Sequence, residues 1–287
     1  MWIEYNYKIT NTEYFPEGYF FHLANSRSGH NFIRKNIQSW INDPDENIRK
    51  YINFENQDVE KLHNTLSDDK SLGRYPNSIY VLSIRNLLNW YPSFFYFHMK
   101  YLGKYNKTVE YFRNKVIVYK SEFDKNPKLT YNNPNLIVLD DGASKEDFIK
   151  KQTRINDKIV NIPLNFDRWL VIAKEFIGET NYLPQFVKIY YDDFFQSKEY
   201  RTAICGQIGG TYNENKLDYV TRAGGFSSFD GDSYQGRGRE MNVLQRWKQW
   251  KPEHFKYLKL LKEHPALEFY LKNFDVSIEE KQFIDSI

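Results

Sequence analysis

The sequence predicts an α/β protein: a mostly parallel sheet flanked by helices on both faces, three layers in all. Short apolar runs of strand length recur, at the start of the stretch from about 19 to 41, at 79–85 and within 187–194. They alternate with stretches that are apolar at helical spacing, such as Phe32, Ile33, Ile37 and Trp40. That alternation is the pattern of a parallel sheet covered by helices. A chain of 287 residues is long enough to bury a large single core.

The elements follow in order. Residues 1–18 are polar and aromatic and read as an edge hairpin, with Pro16-Glu17-Gly18 as a turn. A strand, a turn and a helix run from about 19 to 41 and stop at Asn42-Asp43-Pro44. Residues 56–66 read as a helix on Val59, Leu62 and Leu66. The strand at 79–85 leads to a helix from Tyr91 to about Tyr101. Residues 115–120 and 136–139 are short apolar runs readable as strands, and the Asn- and Pro-rich stretch between them is a loop. Residues 164–177 form an amphipathic helix with Trp169, Leu170, Ala173 and Ile177 on one face. A strand and turn at 187–194 precede a helix ending near Gly209, and 242–261 is helical with a break at Lys251-Pro252.

Composition excludes several classes. With 40 Lys+Arg against 37 Asp+Glu the net charge is +3, so no global field favours nucleic acid. The single cysteine, Cys205, excludes an intramolecular disulfide and a cysteine-based zinc cluster, and its apolar surroundings predict a buried thiol. No apolar run reaches membrane-spanning length, and the N-terminus lacks the basic-then-apolar order of a signal peptide. The expectation is a soluble, cytoplasmic protein without a membrane partner.

The chemistry-bearing signal begins at Phe20-Phe21-His22-Leu23-Ala24-Asn25-Ser26-Arg27-Ser28-Gly29-His30-Asn31-Phe32. A strand breaking into a small polar turn and then a helix aims backbone N–H groups and a positive helix end at one spot. Arg27, Ser28, His30 and Asn31 add donors, and such a pocket suits a phosphate. The same junction also occurs as plain structure in α/β proteins. A second strand ends in Arg85, with Ser93 eight residues on.

Together Ser26-Arg27-Ser28-Gly29 and the Arg85/Ser93 pair resemble the two phosphate-binding elements of sulfotransferases that use 3′-phosphoadenosine 5′-phosphosulfate (PAPS). The Ser-Arg-Ser-Gly form is similar to the carbohydrate branch of that family. The strand and turn of residues 187–194, with Tyr191-Asp192-Asp193 as a Tyr-x-Asp strand end, followed by a helix ending in Ile208-Gly209, resembles the family's late strand. The resemblance spans roughly Tyr19 to Trp250 and thins between about 100 and 180. It implies a P-loop-like sulfotransferase fold in a single domain over 1–287. The cofactor core would occupy about 19–100 and 183–250, with an acceptor-side insert at about 100–180.

The resemblance also implies roles. Arg27 would bridge the leaving phosphate and the transferring sulfonate. Ser28, Gly29, His30 and Asn31 would hold the 5′-phosphosulfate, although His30 and Asn31 stand where the family has paired hydroxyls. Phe32 and Tyr191 would lie near adenine, and Arg85 and Ser93 would take the 3′-phosphate. A late glycine-rich basic loop would add Arg222, Gly224, Gly225, Ser227, Ser228, Arg237 and Arg239. The product would be adenosine 3′,5′-bisphosphate, and no metal is implied.

A general base must take the proton of the acceptor hydroxyl, on a saccharide or a small molecule. The resemblance implies a histidine, for which His63 stands 22 residues before Arg85, or, as in the carbohydrate branch, a glutamate, for which Glu55 and Glu60 are candidates. Two other readings stand beside this one. A P-loop phosphotransferase shares the general architecture, but Gly-x4-Gly-Lys-[Ser/Thr] is missing here. A catalytically silent nucleotide-binding protein would keep the phosphate elements without transfer.

Overall fold

The computed structural model describes residues 18–25, 27–41, 50–55, 78–105, 116–126, 136–146, 162–220, 229, 234 and 236–287. In chain order its strands are β1 (Tyr19–Ala24), β2 (Lys50–Glu55), β3 (Ile79–Ile84), β4 (Val116–Tyr119), β5 (Leu136–Leu139) and β6 (Val187–Tyr190). The helices are α1 (His30–Trp40), α2 (Leu87–Tyr105), α3 (Lys120–Asp124), α4 (Ile162–Ile177), α5 (Tyr191–Gln196), α6 (Lys198–Gln207), α7 (Phe255–Lys262), α8 (Pro265–Asn273) and α9 (Ile278–Ser286). The chain divides into two compact units, residues 1–95 with 163–287, and residues 96–162.

The larger unit is α/β. Its sheet has the order β2-β1-β3-β6, and every pair is parallel. Tyr19, Phe20, Phe21, Leu23 and Ala24 of the central β1 are at most 2% exposed. Burial on both faces explains a near-continuous apolar strand rather than an alternating one. On one face Phe20, Ile79, Val81 and Ile189 pack with Ile33, Ile37 and Trp40 of α1 and with Ile204 and Cys205 of α6. On the other, Phe21 stacks on Tyr80, while Tyr190 packs against Phe176 of α4 and against Phe274. Helices therefore cover both faces, as the alternating pattern predicts.

His22 sits inside this core, its ring hydrogen-bonded to Ser83 Oγ of the neighbouring strand at 2.8 Å. Burial, with His30 and Arg34 adding to it, holds its pKa well below the ordinary value, so the ring is neutral. The smaller unit contains the parallel pair β4 and β5 and the short α3, where Asp141 accepts from the backbone and hydroxyl of Ser121.

Several elements differ from the sequence expectation. The helix expected from Tyr91 starts at Leu87, because Asn86 Oδ1 accepts from the backbone N–H groups of Leu88 and Asn89. Ser93 consequently lies inside α2 rather than at its start. On α4 the buried apolar positions are Phe166, Trp169, Ile172 and Ala173, while Ile177 is 39% exposed. Residues 242–261 are broken into single 3-10 turns at Arg246–Gln249 and Pro252–His254 before α7. β2 carries no sequence expectation at all. The expected hairpin over 1–18, apart from Gly18, and the expected helix over 56–66 lie outside the described residues. Among the described residues no helix is long and apolar enough to cross a membrane.

Candidate functional site

The strand order itself picks out one location. The chain leaves β1 for β2 on one side, then returns to β3 on the other, so the connections diverge between β1 and β3. In open parallel sheets the crevice beyond the carboxyl ends of such a strand pair is where ligands bind. Ala24 and Ser83 are register partners, which brings the turn after β1 and the end of β3 side by side.

The turn after β1 is held by a bond from Ser28 N to Asn25 O at 3.1 Å. Arg27 has a φ of 68°, a left-handed conformation that non-glycine residues rarely adopt. Gly29 precedes α1 with a φ of 79°, and no side chain caps the helix. A Cβ at Gly29 would collide with the Tyr191 ring, so only glycine fits. Both amide atoms of Asn25 and the hydroxyl of Ser28 are buried and have no hydrogen-bond partner among the described residues.

Opposite stands Arg85, 4% exposed. Its guanidinium donates to Ser93 Oγ at 3.1 Å, to the Arg27 carbonyl at 3.3 Å and to the Val243 carbonyl. It lies 5.0 Å from the centre of the Tyr191 ring, and its Nε has no partner. Among the described residues no carboxylate pairs directly with Arg85. Burial lowers its pKa, opposed by Tyr191 and Asp192 and reinforced by Arg246. Arg85, Arg246 and Arg27 act electrostatically on Tyr191 and are opposed there by Asp192.

Asp192 is the buried acid nearby, and both its oxygens are occupied. Oδ2 accepts from Asn86 N at 2.8 Å and Oδ1 from Asn89 Nδ2 at 2.9 Å. Burial raises its pKa against the pull of Arg85 and these hydrogen bonds.

The structure thus brings Arg27, Ser28, Gly29, Arg85, Ser93 and Tyr191 to one place. His30 and Asn31 occupy the half-buried first turn of α1. Phe32 packs edge-on against Tyr191 and Phe194. Tyr191 is 5% exposed and wedged between Gly29 and Arg85. Glu55 ends β2 in register with Ala24. Arg239 is a surface residue whose guanidinium grips Asp218 through both carboxylate oxygens, and Arg237 pairs with Glu240 at 3.1 Å. His63, Glu60, Arg222, Gly224, Gly225, Ser227 and Ser228 lie outside the described residues. Sequence reasoning missed Arg246, which is 2% exposed, donates its backbone N–H to Asn89 Oδ1 and stacks on Phe229. Its one signal is a charge among the apolar residues Val243, Leu244 and Trp247.

No protein-family model, curated protein or solved structure matches this chain. Among the described residues no group of three His, Cys, Asp or Glu side chains is placed to hold a metal ion.

Proposed function

We propose that this protein is a PAPS-dependent sulfotransferase that moves a sulfonate to an acceptor hydroxyl, on a saccharide or a small molecule. One observation carries the reading: among the described residues, a buried arginine without a carboxylate partner reaches into a turn whose own buried hydroxyl is unsatisfied. A desolvated cation beside unpaired donors is costly alone and favourable with an anion bound between them. Its place at the divergence of β1 and β3 supports a nucleotide-type ligand, and the likeness of the two loops to the PAPS-binding elements narrows the class.

In this reading Ser28, Gly29 and the uncapped start of α1 bind the 5′-phosphosulfate. Arg27 neutralises charge growing on the leaving phosphate as the acceptor oxygen bonds to sulfur and the sulfur–oxygen bond to that phosphate breaks. Arg85 and Ser93 grip the 3′-phosphate. A base among His63, Glu55 and Glu60 takes the acceptor proton.

Calorimetry with adenosine 3′,5′-bisphosphate, AMP and ATP tests the ligand class. The bisphosphate should bind far better, since each missing charge-assisted hydrogen bond costs roughly 1.5–3 kcal/mol. Magnesium-dependent ATP binding of equal strength would replace this reading with a phosphotransferase. Binding without any transfer of labelled sulfonate across an acceptor panel would leave a silent nucleotide-binding protein. Arg27→Ala should mainly lower turnover and Arg85→Ala mainly weaken bisphosphate binding. Identical kinetic profiles would overturn these two roles.

A further inference from the structure

The residue after Arg85 is a hub. Asn86 is 6% exposed, and its side-chain oxygen starts α2 while its backbone N–H goes to Asp192. Its Nδ2 donates to Tyr270 Oη of α8 at 2.6 Å and to Glu280 Oε1 of α9 at 2.9 Å. Glu280 is 7% exposed, unusual for a carboxylate on a terminal helix. Its other oxygen accepts from the backbone and hydroxyl of Ser277, whose Oγ in turn accepts from Glu280 N, closing a capping box. Helix capping accounts for one carboxylate oxygen. It does not account for the other, which crosses to a strand end 194 residues earlier in the chain. In the same Arg85–Asn86 peptide, the Arg85 carbonyl accepts from Trp169 Nε1 at 3.0 Å. The Arg85 backbone is thus pinned between Trp169 and the Asn86 hub.

We propose that Glu280 is a positioning residue: through Asn86, the C-terminal helix holds Arg85 in the geometry that binds the anion. The role in ligand binding rests on the anion site proposed above, whereas the mechanical coupling of Glu280 to Arg85 does not. A guanidinium whose strand end can shift loses the alignment that makes charge-assisted hydrogen bonds strong. Asn86 would also keep a buried donor unsatisfied if Glu280 were removed.

Two variants separate the latch from the helix cap. Ser277→Ala removes the hydroxyl half of the cap, keeps the backbone N–H bond to Glu280 Oε2 and leaves the bond to Asn86. Glu280→Ala removes both. In each protein the indole N–H of Trp169 is followed by NMR, and affinity for adenosine 3′,5′-bisphosphate and for inorganic sulfate is measured by calorimetry. The indole signal should shift or exchange faster in Glu280→Ala and stay in place in Ser277→Ala. Affinity should fall roughly 3- to 30-fold in Glu280→Ala, the range for residues that act without touching ligand, and change less than about twofold in Ser277→Ala. Tyr270→Phe removes one acceptor of Asn86 and a 3.5 Å donor to Glu280 Oε1 but keeps the bond between Asn86 and Glu280, and should cost less affinity than Glu280→Ala. Equal losses in Glu280→Ala and Ser277→Ala would reduce Glu280 to a stabilising residue. An unmoved Trp169 signal in Glu280→Ala would overturn the latch outright. A wild-type protein that binds neither ligand would sink the anion site instead, and the Trp169 signal alone would then decide the coupling.

Discussion

The two strand ends that meet at the centre of this molecule are built in opposite ways. After β3, Asn86, Asn89 and Asp192 are buried and knitted into one network with Tyr270 and Glu280. After β1, the buried amide of Asn25 and the hydroxyl of Ser28 find no partner among the described residues, on a backbone bent into left-handed conformations at Arg27 and Gly29. Folding alone selects for the first arrangement, since satisfied buried networks rigidify a core. The second lowers stability and persists where something other than folding depends on it. Strain and unsatisfied donors therefore point to the β1 turn as the place for a ligand, and the β3 end as the frame that presents Arg85 to it.

The largest expected effect tests whether the turn, though unsatisfied, is sterically fixed. Gly29→Ala forces a Cβ into the Tyr191 ring and a side chain into positive φ, and should cost on the order of 3 kcal/mol or more in urea unfolding. A loss under about 1 kcal/mol would mean that the turn relaxes easily and that its unpaired groups carry less meaning.

Next comes the bridge between the two regions. Arg85→Ala leaves the carbonyls of Arg27 and Val243 without their donor, so beyond weaker anion binding it should lower stability by about 2–3 kcal/mol. Arg85→Ala with unchanged stability would detach the β1 turn from the β3 network.

Asp192 sharpens the comparison from the networked side. Asp192→Asn must point an amide nitrogen at a donor from Asn86 or Asn89, a loss of about 2 kcal/mol. Burial holds this carboxyl above its ordinary value of 3.8. A raised folded-state pKa means that its contribution is complete below the unfolded value and fades as pH rises through the folded one. Wild-type stability measured over about pH 3 to 7 should carry that decline, and Asp192→Asn should lack it. An identical pH profile in both proteins would show that Asp192 ionises as it does in water.

The smallest effect is the most diagnostic for the turn. Ser28→Ala deletes a buried hydroxyl that bonds to none of the described residues, so stability without ligand should stay level or rise by up to about 1 kcal/mol. Affinity for the bisphosphate should fall in the same variant. A clear loss of stability would show that the hydroxyl has a structural partner and would weaken the contrast.

The sequence by itself determined the parallel α/β character, the strand–turn–helix at residues 19–41 and the presence of Arg85 at a strand end with Ser93 shortly after it. These depend on apolar periodicity and turn chemistry, which act over a few residues and are written locally. The start of α2 at Leu87 was within reach as well, since Asn86 is a good capping residue. The rest required the folded chain. That Arg85 touches the Arg27 carbonyl, that Arg246 is buried beside it and that Glu280 crosses to Asn86 depend on contacts between segments as much as 194 residues apart. A buried arginine or glutamate reads in sequence like any solvated charge, because side-chain chemistry fixes what a residue can bond to and only packing decides which partner it meets and whether water is excluded.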